Sequence, residues 1–171
     1  MIILLAGLPG TGKTTLARNL ASRTGGVVLN KDEMRAALFA PKAIAYTTEQ
    51  DDLVMTRVLE TATSLLHEQP DRMIFLDGRP FARRYQIDQV LQAAAAMKQP
   101  WRILLLTCSE ETARKRLQEP AGHLAANRSF ELYQRVKAGF EAITQPHTVI
   151  DTERAEEACL QQAIAALQAK Q

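Results

Sequence analysis

Residues 2–15 read Ile2-Ile3-Leu4-Leu5-Ala6-Gly7-Leu8-Pro9-Gly10-Thr11-Gly12-Lys13-Thr14-Thr15. The first five form an unbroken apolar run rich in strand formers. That pattern belongs to a strand buried on both faces of a parallel sheet; a half-exposed strand would alternate apolar and polar residues. The next eight residues satisfy G-x-x-x-x-G-K-[ST], a spacing that chance places in a chain this long roughly once in two hundred cases at ordinary residue frequencies. A plain glycine-rich turn explains Gly7, Gly10 and Gly12 but not the Lys13-Thr14 pair. Phosphate explains both. Glycines let backbone N–H groups approach oxygens with no Cβ in the way, and the following helix N-terminus adds unpaired donors and partial positive charge. Lys13 neutralises the outer phosphates, and the Thr14 hydroxyl suits Mg²⁺. The expected ligand is therefore the triphosphate of ATP with Mg²⁺, held by Gly7, Leu8, Pro9, Gly10, Thr11, Gly12, Lys13, Thr14 and Thr15.

Outward from this motif, the chain alternates strands with helices. Lys13 to Ser22 reads as a helix ended by Gly25-Gly26, and Val27–Leu29 as a second strand. Residues 31–39 suggest a short helix that Pro41 stops. A longer one runs from about Thr48 to His67, with Val54, Val58, Ala62 and Leu65 on one face. Met73–Leu76 is a third buried strand ending at Asp77-Gly78. Residues 82–98 are helical, with an alanine run at 93–96, and Trp101–Thr107 is the fourth strand, Trp101 reading as core. Ser109 is placed to cap a helix to about Leu117, with Thr112 where a capping box has Glu or Gln. A loop at Pro120, Ala121, Gly122 and His123, a helix over Phe130–Ile143, a strand over His147–Ile150 and a helix over Glu153–Lys170 complete the order. The alternation implies a mostly parallel sheet covered on both faces through right-handed crossovers, hence an α/β fold. No linker or repeat divides the 171 residues, so one domain over 1–171 is expected.

A net charge of +2 gives no electrostatic argument for nucleic acid or a membrane. Cys108 and Cys159 form no CxxC pair, and His67, His123 and His147 have no ligand spacing, so neither a disulfide framework nor a zinc site is indicated. The opening apolar run lacks a basic flank and is too short for a signal peptide or membrane span, which favours the cytoplasm.

Beyond the phosphate loop, four groups of residues carry candidate chemistry. Asp77 ends the third strand, where a carboxylate can hold the Mg²⁺ shell or orient a neighbour; a polar turn after a strand is the plainer account. Asp32 and Arg35 follow the second strand, where an acceptor hydroxyl would sit. Asp32 can take that hydroxyl's proton, or it can simply be an acid in a helix's first turn. Arg114, Lys115 and Arg116 lie on the helix after strand four, with Arg128 beyond. Arg114 and Arg116 face opposite sides of a helix, so at most one covers a migrating phosphoryl group, and Arg116 is the preferred one. Arg79, Arg83 and Arg84 either bind an anionic acceptor or are exposed residues at a helix start.

The stretch GLPGTGKTT at Gly7–Thr15, followed by Leu29-Asn30-Lys31-Asp32-Glu33-Met34-Arg35, resembles a family of small P-loop kinases often labelled AAA-type ATP-binding proteins. Relatives of that family include polynucleotide kinase, chloramphenicol phosphotransferase, gluconate kinase and adenylylsulfate kinase. The resemblance implies a three-layer α/β/α P-loop fold, a five-stranded parallel sheet in the order 2-3-1-4-5, and a small helical lid over about residues 110–130. It implies Asp32 as general base, Arg35 on the acceptor, and Arg116 as the lid arginine. Where relatives carry a further arginine, this chain has Gln118, Glu119 and Pro120. Asp77-Gly78-Arg79-Pro80 departs from the nucleic-acid kinase pattern. The expected activity is transfer of the ATP γ-phosphate to a hydroxyl of a small molecule, a metabolite or antibiotic, with catalytic Asp32, Lys13 and Arg116, substrate-binding Arg35, Asp77 and Arg79, and Thr14 and Asp77 at the metal. The alternatives are a polynucleotide 5′-hydroxyl kinase and an ATPase or switch with no acceptor.

Overall fold

Strand β1 (Ile2–Ala6) lies at the centre of the sheet with all five residues fully buried. Its side chains divide between two cores. Ile2, Leu4 and Ala6 face one and Ile3 and Leu5 the other, which is why the run has no polar position. The computed structural model describes residues 1–118 and 129–169. Four further strands, β2 (Val27–Asn30), β3 (Ile74–Asp77), β4 (Trp101–Thr107) and β5 (Thr148–Asp151), pair in parallel in the order β2-β3-β1-β4-β5. The order expected from the family resemblance is thus the observed one.

On the first face pack α3 (Thr48–Glu68) and α4 (Arg84–Ala96); on the second, α1 (Lys13–Thr24) and α7 (Glu156–Gln168). Helix α3 contributes Val54, Met55, Val58, Leu59, Ala62 and Leu66; each fully buried aliphatic side chain adds roughly 1.5–3 kcal/mol. The short α2 (Lys31–Leu38) follows β2 directly, and a 3-10 turn at Pro41–Ala43 leads to α3. Helices α5 (Glu110–Gln118) and α6 (Phe130–Ala138) lie on either side of residues 119–128. The loop expected at residues 120–123, Arg128, and Lys170 at the expected end of the last helix lie outside the described residues. No helix among the described residues is long and apolar enough to cross a membrane.

Several boundaries differ from the sequence reading, and tertiary contacts account for them. Helix α6 stops at Ala138 instead of running to Ile143: Gly139 caps it, Glu141 N–H donates to Ala82 O at 2.9 Å, and the Glu141 carboxylate accepts from Arg84 N–H at 2.8 Å. Helix α7 begins at Glu156, not Glu153, because Glu153 turns back to accept from the Ser109 and Thr112 hydroxyls at 2.6 and 2.7 Å. Ser109 itself caps α5, accepting from Thr112 N–H at 3.2 Å. Strands β3 and β5 each reach one residue further, into pairings of Asp77 with Asn30 and of Asp151 with Thr107. Leu66, not Leu65, is the buried end of the α3 stripe, and Leu65 is half-buried. Trp101 is half-buried against the first core, as its strand position suggested.

Candidate active site

The carboxyl ends of β1, β2 and β3 lie side by side, so the loops that leave them share one rim of the sheet. Gly7, Gly10 and Gly12 all have positive φ, which winds the first of these loops into a cradle. A Cβ at Gly7 would sit 2.3 Å from Leu106 O, so side chains are excluded there by β4 as well as by backbone conformation. Inside the loop, the Thr11 hydroxyl donates to Leu8 O at 2.8 Å. Lys13 Nζ donates to Gly7 O and Leu8 O at 2.8 and 2.7 Å, lying along the loop whose ligand it is expected to meet.

Pro9, Gly10, Gly12, Lys13, Thr14 and Thr15 line a cavity of about 750 Å³; Gly7, Leu8 and Thr11 shape the loop from behind. Asp32, Arg35, Asp77, Arg79 and Arg116 line the same cavity. The structure thus brings together all the residues singled out beyond the phosphate loop as catalytic, substrate-binding or metal-holding. Arg79 is not an exposed helix-start residue but is buried ahead of α4. Arg83 sits at the helix boundary and pairs with Glu141 at 3.3 Å. Arg114 lies over the Phe130 ring, 3.7 Å from its centroid, outside the cavity lining.

Asn30 organises the β2 side. Its Oδ1 accepts from Asp32 N–H at 2.8 Å and Glu33 N–H at 3.1 Å, starting α2, while its Nδ2 donates to Asp77 Oδ2 at 2.6 Å. One side chain therefore caps the helix that carries Asp32 and Arg35 and fixes Asp77. Asp77 is buried, and its other oxygen, Oδ1, has no hydrogen-bond partner among the described residues. An unpartnered buried carboxylate oxygen in a cavity shared with the Thr14 hydroxyl suits a hydrated cation, so the residues fit Mg²⁺.

Asp32 lies in a tight ionic group. Its Oδ1 accepts from Arg35 Nη1 at 2.9 Å and lies 3.5 Å from Lys31 Nζ. Lys31 also donates to Asp51 at 3.0 Å, and Arg35 pairs with Asp51 as well. Burial pushes the Lys31 ammonium down to about 8, although the neighbouring Asp32 carboxylate opposes the shift. On the β3 side, Arg79 pairs with Asp52, and the Tyr85 hydroxyl lies 3.4 Å from the same guanidinium nitrogen. Asp51 and Asp52 fall in the helix expected from about Thr48, and nothing local in the sequence marks them as partners of arginines 16 and 27 residues away. Arg116, expected on the lid, is anchored at the sheet edge: its guanidinium donates to Thr152 Oγ1 and O at 2.9 and 2.8 Å and to Gly10 O at 3.4 Å. It ties the end of β5 to the phosphate loop.

The chain matches the model of the AAA domain over residues 2–143. No curated protein sequence matches it. Among solved structures, a gluconokinase from Sinorhizobium meliloti 1021 superposes with a TM-score of 0.71 at 17% identity, covering 96% of this chain and 90% of that one. The Mycobacterium tuberculosis APS kinase CysC, in complex with AMPPNP and APS, gives a TM-score of 0.75 at 16% identity, covering 98% and 97%. Chaetomium thermophilum Kti12, in complex with ADP-AlF3, gives 0.68 at 17% identity, covering 99% and 100%. At such identities these likenesses establish the fold alone. The family match spans most of the chain and includes both the phosphate loop and the Asp32–Arg35 stretch: the chain belongs to the AAA domain family.

Proposed function

We propose that this protein is an ATP-dependent kinase that transfers the γ-phosphate to a hydroxyl group of a small molecule. The observation that carries this reading is that the phosphate loop and Asp32 line one cavity, of a volume suited to a nucleotide's phosphates and a compact acceptor. The loop amides and Lys13 hold the triphosphate at the N-terminus of α1. Thr14 and Asp77 would hold Mg²⁺, which when bound neutralises charge on the phosphate oxygens. Asp32 accepts the proton of the acceptor hydroxyl as its oxygen attacks the γ-phosphorus; the bond to the β–γ bridging oxygen breaks and ADP departs. Lys31 and Arg35 orient the Asp32 carboxylate from its two cationic contacts. Arg116, held beside Gly10 and Thr152, would meet the nucleotide from the β5 side. The kinase neighbours support the reading at the level of reaction class. The test is a phosphate-transfer screen of the purified protein with labelled ATP against hydroxy acids, sugars, sugar phosphates, antibiotics and oligonucleotides. Transfer to a small hydroxyl compound is expected. Transfer confined to oligonucleotide 5′-ends, or ATP hydrolysis with no acceptor labelled, overturns the proposal.

A further inference from the structure

All but one of the arginines that line the cavity are engaged within the protein. Arg18, Arg35, Arg79 and Arg83 pair with carboxylates, and Arg116 and Arg154 donate to Thr152 and Gln162. Arg135 has no hydrogen bond, ion pair or ring contact among the described residues, and it is exposed. It belongs to one stripe of α6: Leu132, Arg135 and Val136 line the cavity, and Gly139, just past the helix, continues the same face. That segment is fastened to elements that touch the phosphate loop. Toward α5, Arg114 lies 3.7 Å from the Phe130 ring centroid, and Lys137 Nζ donates to Glu110 Oε2 at 2.8 Å. Helix α5 in turn lies against the loop, since a Cβ at Gly10 would sit 2.9 Å from Ala113 O. Toward β3, Glu141 N–H donates to Ala82 O, close after Pro80, whose O accepts from Gly7 N–H at 3.0 Å. The cavity face of α6 is thus braced beside the phosphate loop from two directions.

We infer that Arg135 is the cation that meets the γ-phosphate of bound ATP, across the cavity from the loop amides and Lys13. The inference rests on the reading of the phosphate loop as the Mg·ATP site of a kinase. It moves to α6 the task that the family resemblance places on Arg116. Arg116 is occupied: Nη1 donates to Thr152 Oγ1 and Gly10 O, and Nη2 to Thr152 O. The amides and Lys13 hold the triphosphate from the α1 side. A guanidinium from α6 adds positive charge on the migrating group, where phosphoryl transfer needs it. Arginine suits this task, because its planar fork stays charged and presents parallel donors to phosphate oxygens. Having no partner to give up, Arg135 takes the phosphate without breaking a contact.

The test separates the γ-phosphate from the rest of the nucleotide. Calorimetry at one low salt concentration measures Mg·AMPPNP and Mg·ADP binding to wild type, Arg135→Met and Arg135→Lys, with thermal melting as the control for folding. Arg135→Met should weaken AMPPNP binding by about ten-fold, the loss of a charge-assisted contact. ADP binding should change by no more than about two-fold, because the remaining phosphates feel that charge only through screened distance. Arg135→Lys keeps the charge without the fork and should stay within about three-fold of wild type for AMPPNP. Equal losses for the two nucleotides, or a γ-phosphate-selective loss in Arg116→Met alone, overturn the inference. So does a wild-type protein that binds neither nucleotide. A selective loss in Arg135→Met with no acceptor ever labelled supports the inference and removes the kinase. Wild-type AMPPNP affinity and wild-type acceptor labelling in Arg135→Met keep the kinase and remove the inference.

Discussion

Replacing Asp32 by Asn separates a proton acceptor from a helix-start acid, and the structure sets the size of each effect. Asparagine retains one carbonyl oxygen for Arg35 Nη1, now 2.9 Å from the carboxylate, but loses the charge shared with Lys31 at 3.5 Å. The helix start survives, because the capping oxygen belongs to Asn30. The cost in stability is therefore about 1 kcal/mol, one charge-assisted bond made neutral, or about 2–4 °C in Tm for a chain of this size. Mg·ATP affinity should stay within about two-fold, since the triphosphate is held by backbone amides and Lys13. Phosphoryl transfer should fall by about 10²–10⁴-fold, equivalent to about 3–5 kcal/mol of barrier, with the loss in kcat more than in KM. The assay is steady-state transfer to the acceptor found by screening, alongside ATP calorimetry and thermal melting. A folded Asp32→Asn protein with wild-type kcat would refute the assignment of the base, and leave the phosphate loop unaffected.

Lys13→Ala should reduce Mg·ATP affinity by about 100-fold or more, because it removes the cation on the outer phosphates, and leave the far-ultraviolet circular dichroism unchanged; calorimetry showing wild-type affinity would overturn the loop's role. Gly7→Ala combines a φ of +138° with a Cβ 2.3 Å from Leu106 O, which should cost about 3 kcal/mol and lower Tm by about 10 °C; a melting curve matching wild type would show that the loop relaxes freely. Lys31 has its pKa depressed from 10.5 to about 8 by burial, so between those values the unfolded chain binds more protons and stability rises with pH. Lys31→Met removes this term and should melt above wild type near pH 7, by up to about 3 kcal/mol, with the advantage fading as pH rises from about 8 to about 10.5; a difference that is flat across that window refutes the buried-cation account.

The amino-acid sequence by itself determined the phosphate loop and the sheet that carries it. Both are local in their physics: the cradle needs only glycines at set spacings before a helix N-terminus, and a strand buried on both faces has no polar position to hide. Asp77 was legible for a related reason, since a polar residue at the carboxyl end of an apolar strand stands out against the run before it, whereas the local sequence left Asp32 open between a base and a first-turn acid and the family resemblance singled it out. What tertiary structure alone decided is how those residues are held. Asp51 and Asp52 carry no mark in the sequence, and only the placement of β3 between β2 and β1 sets the start of α3 against arginines leaving two different strands. The family resemblance implied Arg116 as a lid arginine, and only the tertiary structure shows its guanidinium reaching Thr152 at the β4–β5 edge. Helix α6 ends at Ala138 because Glu141 is claimed by Ala82 and Arg84, some 57 residues away in the chain. Periodicity reports which face a residue shows; the partner it meets there depends on the order in which the strands assemble.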